Sequence, residues 1–288
     1  MKNLKTFTLV CCSFGVVHAT AQTTKTIGGF NHVESVATDN RFIYVADIGK
    51  ELNPTAKDGD GKIFKLDLQG KILDSVFVKE ILNAPKGLAI AHGILFLADI
   101  DRVVAIEIKT GNKLYEIDFS KDAAFLNDMA ILDKNTLFVS ATDKNKIFKI
   151  NLKDKTYSEL ITDKIIAGTN GLFADKKTNR LYVNGFGSDN NPNGIAGYIN
   201  LKDNTCKQLG TVTGYFDGIF LSKGKIYLSN WVAFEKKGII QTVNLADNSV
   251  SEVKMPEPIA GPADFIILKN QLIIPGMMSG TIHFIALQ

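Results

Sequence analysis

Six copies of one short motif carry the residues of this chain best able to do chemistry. They read Val33-Glu34-Ser35-Val36, Pro85-Lys86-Gly87-Leu88, Leu126-Asn127-Asp128-Met129, Thr169-Asn170-Gly171-Leu172, Phe216-Asp217-Gly218-Ile219 and Pro262-Ala263-Asp264-Phe265. The second position is a carboxylate, an ammonium or an amide in five of them, whereas the last copy offers Ala263 or, one place on, Asp264. Carboxylate and amide oxygens suit a hard cation, since calcium takes about 6–8 oxygens in a flexible geometry. His32, His92 and His283 are scattered, and no Cys/His spacing fits zinc. The same residues would also serve to hydrate a water-filled channel. Convergence of Glu34, Asn170 and Asp217 from separate copies favours the cation.

Each motif leads into an apolar strand, and a second strand follows at residues 42–47, 95–99, 137–141, 181–185, 226–230 and 272–276. Their ends recur with a period in the forties, the signature of β-propeller blades. Alternating apolar positions between Asn, Asp, Gly and Lys turns fit antiparallel strands, and no helical periodicity persists. The expectation is an all-β chain, a six-bladed β-propeller occupying residues 22–288 as one domain. The last repeat supplies only three strands, at 263–268, 271–276 and 281–287, while residues 24–30 have no partner in their own blade. An N-terminal strand closing the ring would cover both open edges.

In a propeller the first strand of each blade lines the channel, so Glu34, Lys86, Asn127, Asn170, Asp217 and Ala263 or Asp264 form a ring. The antiparallel second strand returns Asp47, Asp99, Ala141, Gly185, Asn230 and Gly276 to the same mouth. Two insertions rich in Gly, Asp and Asn, residues 49–61 and 186–193, leave from there as well. Trp231 follows a second strand directly and either stacks on a ligand ring or packs between blades. Lys86 serves as counter-charge to Glu34 and Asp217 or grips a product carboxylate. His32 is expected packed or at the surface. Asp58-Gly59-Asp60-Gly61 has Gly70 where a calcium loop needs glutamate, so it reads as an exposed turn.

Among the 288 residues, 33 are basic and 30 acidic, a near balance that excludes electrostatic recognition of nucleic acid or an anionic membrane. Lys2 and Lys5 precede an apolar run at 7–17, and Ala19-Thr20-Ala21 offers a small-x-small cleavage site. Residues 1–21 thus read as a secretory signal, too short for a membrane span, and predict a periplasmic or secreted protein. Cys11 and Cys12 fall inside it, behind residues that make a poor lipoprotein motif. Cys206 is then left alone, on an outer strand, with no internal disulfide possible. A monomer is expected.

The ordered set Glu34-Ser35-Val36, Pro85-Lys86-Gly87, Phe125-Leu126-Asn127-Asp128, Asn170-Gly171-Leu172 and Asp217-Gly218-Ile219 resembles the SMP-30/gluconolactonase family of regucalcin-like six-bladed propellers. It runs over almost all of the chain beyond the signal. The resemblance implies a divalent cation in the channel, most often calcium, with magnesium, zinc and manganese left open. Glu34, Asn170 and Asp217 would be its ligands, and Asn127 would touch the substrate or complete the shell. It also implies hydrolysis of lactones or related esters. Asp217 is the first candidate to position or deprotonate the attacking water, with Asp128 and Asp264 as secondary candidates. Sugar-lactone members carry an arginine where this chain has Phe125, which points away from polar sugar lactones; Lys86 is placed to replace the charge. The substrate set is then Asn127, Lys86, Phe125 and Trp231. The competing class is a non-catalytic exported binding propeller with a structural calcium ion.

Overall fold

The computed structural model describes residues 24–287, so the expected secretory signal, with Cys11 and Cys12, lies outside the described residues. Within them, 24 strands form six four-stranded antiparallel sheets, and the helical turns are two 3-10 segments, Thr142–Lys144 and Met277–Ser279. No described helix is long and apolar enough to cross a membrane. The chain is a six-bladed β-propeller.

The second strand of each blade is the most buried, because neighbouring sheets cover both of its faces. Phe42–Asp47 and Ile94–Asp99 are therefore continuous apolar runs with almost no alternation. Outer strands such as Lys113–Asp118 face water and alternate. Between the second and third blades, Phe119 stacks on Tyr157 with ring centroids 3.9 Å apart and meets Phe148 edge-on. Full burial of one side chain of this size contributes about 1.5–3 kcal/mol. Cys206 lies buried on the fourth strand of its blade, Thr205–Gln208.

The last sheet has the N-terminal strand as its outer member: Thr24–Ile27 pairs with Thr281–Ala286, placing Thr24 opposite Ile285 and Ile27 opposite Ile282. This strand is shorter than residues 24–30 because Gly29, at φ +103°, turns the chain away. The ring also closes on the inside. Asp264 N donates to Glu34 O at 2.9 Å, and Ser35 bridges Asp264 in parallel. As a result the innermost strand of the last blade starts only at Ile266, later than the expected residue 263.

Five inner strands, Val33–Thr38, Pro85–Ala91, Leu126–Asp133, Thr169–Asp175 and Phe216–Ser222, share one irregularity. Their pairing with the second strand shifts register within the motif, between Val33 and Ser35, Pro85 and Leu88, Leu126 and Met129, Thr169 and Leu172, and Phe216 and Ile219. Such a bulge re-aims side chains out of the sheet. The glycines of the motif are there for close approach: a Cβ on Gly171 would lie 2.3 Å from Asp217 O, and one on Gly87 2.4 Å from Asn127 O. The recurring motif is thus a bulge that turns a polar side chain toward the axis, followed by a residue pressed against the next blade.

Candidate metal centre

The bulges bring Glu34, Lys86, Asn127, Asn170 and Asp217 to the floor of one pocket of about 390 Å³. Each is buried, and each comes from a different blade. Phe125 and Trp231 line the same pocket, so seven residues singled out from the sequence meet there. Asp128 and Asp264 do not line it; they occupy the motif position that is glycine in three other blades. The ambiguity in the last copy is resolved in favour of Asp264, because Ala263 packs with Trp231, Met277 and Ile48 in an apolar cluster.

The oxygens facing the axis lack donors. Glu34 Oε2, Asn127 Oδ1, Asn170 Oδ1, Asp217 Oδ1 and both oxygens of Asp264 are buried without a hydrogen-bond partner. Ligand atoms of Glu34, Asp217 and Asp264 lie within 4.8 Å of one another. Their orientation is set from behind. Asn127 Nδ2 donates to Thr142 Oγ1 at 3.1 Å, and that hydroxyl donates to Thr169 O at 2.9 Å, which leaves Oδ1 turned inward. Trp231 Nε1 donates to Asp217 Oδ2 at 2.9 Å and leaves Oδ1 free.

Burial of like charges shifts every carboxyl upward. Desolvation, then Asp217, hold the Glu34 carboxyl well above its usual range despite Lys86. Burial lifts Asp217 to about 7, against the pull of the Trp231 hydrogen bond. Burial also lifts Asp128 to about 7, although Leu172 N and Met129 N donate to its oxygens at 2.7 and 2.6 Å. Burial, then Asp128, Glu34 and Asp217, hold the Asp264 carboxyl well above its usual range; when protonated it donates to Asp128. Unpaired buried carboxylates cost several kcal/mol each, so such a cluster calls for protons or a cation. Oxygen donors alone, from five residues, fit a hard divalent cation better than zinc.

Lys86 is the buried positive charge. Desolvation lowers its ammonium to about 8 against the opposing pull of Glu34, Asp99 and Asp101. Nζ donates to Pro54 O at 2.8 Å and Ala84 O at 2.9 Å, which ties residues 49–61 over the mouth. The ammonium also lies 5.1 Å from the centre of the Phe125 ring. Above the floor the walls are apolar. Phe186, Trp231 and Phe234 pack together with centroids 5.5–6.1 Å apart, facing Leu52, Pro54 and Phe125.

One expectation about the site changes. Asp47 and Asp99 do not line the mouth. Asp47 accepts Asn31 N and His32 N, and Asp99 accepts Ala84 N and the Arg102 guanidinium, so both fasten the chain entering an inner strand. Trp231 packs between blades, one of the two roles expected of it, and it also lines the pocket, with its ring nitrogen donating to Asp217. Phe186 and Asn190 join the lining from the insertion at 186–193 expected at the mouth, whereas Thr142, Phe234 and Met277 were not singled out; the register pairing Phe216 with Asn230 is the signal that would have placed Trp231 beside Asp217. His32 stays outside the pocket, with Nδ1 against Gly49 O at 3.1 Å.

A comparison with protein-family models finds no match, and a search of curated proteins finds none either. Solved structures share the fold. A Bacteroides thetaiotaomicron protein described as of unknown function superposes with a TM-score of 0.66 at 12% identity, over 92% of this chain and 76% of that one. A catalytically inactive virginiamycin B lyase from Staphylococcus aureus, solved with quinupristin, gives 0.61 at 14%, over 93% and 100%. A chain of a nidogen/laminin complex gives 0.58 at 12%, over 88% and 85%. At these identities the likeness is one of fold: this chain is a six-bladed propeller with a polar ring at one end of its channel.

Proposed function

We propose that the protein is a divalent-cation-dependent hydrolase of apolar lactones or related esters, with calcium as its cation. The observation that carries this reading is the set of buried, donor-less oxygens on Glu34, Asn127, Asn170, Asp217 and Asp264, beneath a pocket walled by Phe125, Phe186, Trp231 and Phe234. Glu34, Asn170 and Asp217 would hold the ion, in keeping with the resemblance to the SMP-30/gluconolactonase family. A bound divalent cation supplies Lewis-acid polarisation of an ester carbonyl and acidifies water.

The chain's own groups divide the remaining work. Asn127 Oδ1 stands ready to complete the shell or orient the ester. Asp217 Oδ1, the oxygen left free by Trp231, would face the ion and orient the attacking water, whose proton ends on the alkoxide oxygen released when the ester bond breaks. Lys86 has used two of its three N–H donors on Pro54 O and Ala84 O. The third serves the developing oxyanion and then the product carboxylate. Phe125 and the Phe186–Trp231–Phe234 wall exclude water and receive an apolar body, and offer no hydrogen bond to sugar hydroxyls.

Metal-binding and lactonase activity should be lost together in Asp217→Ala. Isothermal titration with calcium and a lactone-opening assay on the same preparation test this. Retention of either function in that variant contradicts the assignment.

A further inference from the structure

Five blades present a polar side chain to the channel from the second motif position, but the last blade has Ala263 there, buried among apolar neighbours. That blade contributes Asp264 instead. The residue is 5% exposed, both carboxylate oxygens lack donors, and one lies within 4.8 Å of ligand atoms on Glu34 and Asp217. Its backbone is fixed by the hydrogen bond from Asp264 N to Glu34 O, so the carboxylate is held beside the first blade's ligand. Gly218 preserves the space, since a Cβ there would sit 2.9 Å from Asp264 Cα.

We propose, building on the cation reading above, that Asp264 is a further ligand of the same ion. The centre then has three carboxylates, from Glu34, Asp217 and Asp264, and two amides, from Asn127 and Asn170. A set this rich in carboxylate and amide oxygens selects calcium. Magnesium demands near-ideal octahedral geometry and keeps its waters, and zinc prefers nitrogen and sulfur in a four-coordinate shell. The other role open to Asp264 is that of a proton-sharing partner to Asp128 below the ring, without contact to the ion.

The chelated full chain, titrated with calcium chloride and separately with magnesium chloride, distinguishes these roles. Trp231 is the sole tryptophan and touches Asp217, so its fluorescence provides a second readout beside calorimetry. Asp264→Asn keeps the volume and one acceptor oxygen but removes the charge and replaces the other oxygen with a donor. It should weaken calcium by at least ~10-fold and narrow the calcium-over-magnesium preference. Asp264→Ala should weaken it further, with the thermal transition of both chelated variants retained as proof of folding. Unchanged calcium affinity in both variants, with binding lost in Asp217→Ala, overturns the role of Asp264 and leaves the cation reading standing. Absence of calcium binding by the unmodified chain overturns both.

Discussion

Trp231 Nε1 donates to Asp217 Oδ2 at 2.9 Å, so one carboxylate oxygen is fixed by the fold and the other is left facing the channel. The indole thereby orients a proposed ligand from behind while its ring walls the pocket. Removing the N–H in Trp231→Phe should weaken calcium roughly 10-fold, the scale on which groups supporting a metal ligand act. Calorimetry checks this. Unaltered affinity would mean that Asp217 needs no support.

A second expectation concerns pH. Burial raises the Asp217 carboxyl from 3.8 to about 7 in the cation-free protein. A carboxyl with a raised folded-state pKa adds stability while protonated, and that contribution is lost as pH rises through the window between the two values. The melting temperature of the chelated wild type should therefore fall relative to Asp217→Asn from about pH 4 to about pH 7. Saturating calcium should reverse the order at pH 7, because the ion binds only the folded wild type. Parallel curves without calcium would contradict the cost of burying this carboxylate.

The glycines of the motif can be tested separately from the ligands. In Gly171→Ala the new methyl would approach Asp217 O to 2.3 Å, which forces two inner strands apart. Overpacking of this kind should cost about 1–3 kcal/mol in urea denaturation. Gly28→Ala, whose Cβ would meet nothing closer than Gly280 O at 4.0 Å, should stay within about 0.5 kcal/mol. Equal effects at the two positions would remove the close-approach explanation.

Much of this was legible in the chain because a propeller repeats itself. Residues one period apart occupy equivalent places, so Glu34, Lys86, Asn127, Asn170 and Asp217 could be placed in a ring before any coordinates. The last copy has Ala263 where the other five carry a polar side chain, with a carboxylate one place on, and the sequence therefore left Ala263 and Asp264 unresolved. Asp47 and Asp99 escaped because strand direction tells where a Cα returns but not where its carboxylate turns. Both turn back to cap backbone amides, a local choice that periodicity does not encode. The hold of Lys86 on Pro54 O depends on the path of an irregular insertion, which no repeat predicts.

Specificity follows from the walls. Phe125 sits at the mouth with the Lys86 ammonium 5.1 Å from its ring, where an arginine would offer hydrogen bonds to hydroxyls. Phe125→Arg should raise the ratio of kcat/KM for glucono-lactone to that for an alkyl lactone. A site built to bond a hydroxyl discriminates by up to ~10⁴-fold, far more than an apolar wall does. A ratio that does not move would detach Phe125 from substrate choice.

The most direct measurement is proton release from an alkyl lactone, followed at constant pH with the chelated chain before and after calcium is restored. No opening above the buffer rate is expected without the ion, and full activity on its return, with aliphatic lactones turned over at least as well as glucono-lactone. Calcium binding with no lactone opened under any restored cation would contradict it, and would make this a binding propeller whose ion is structural.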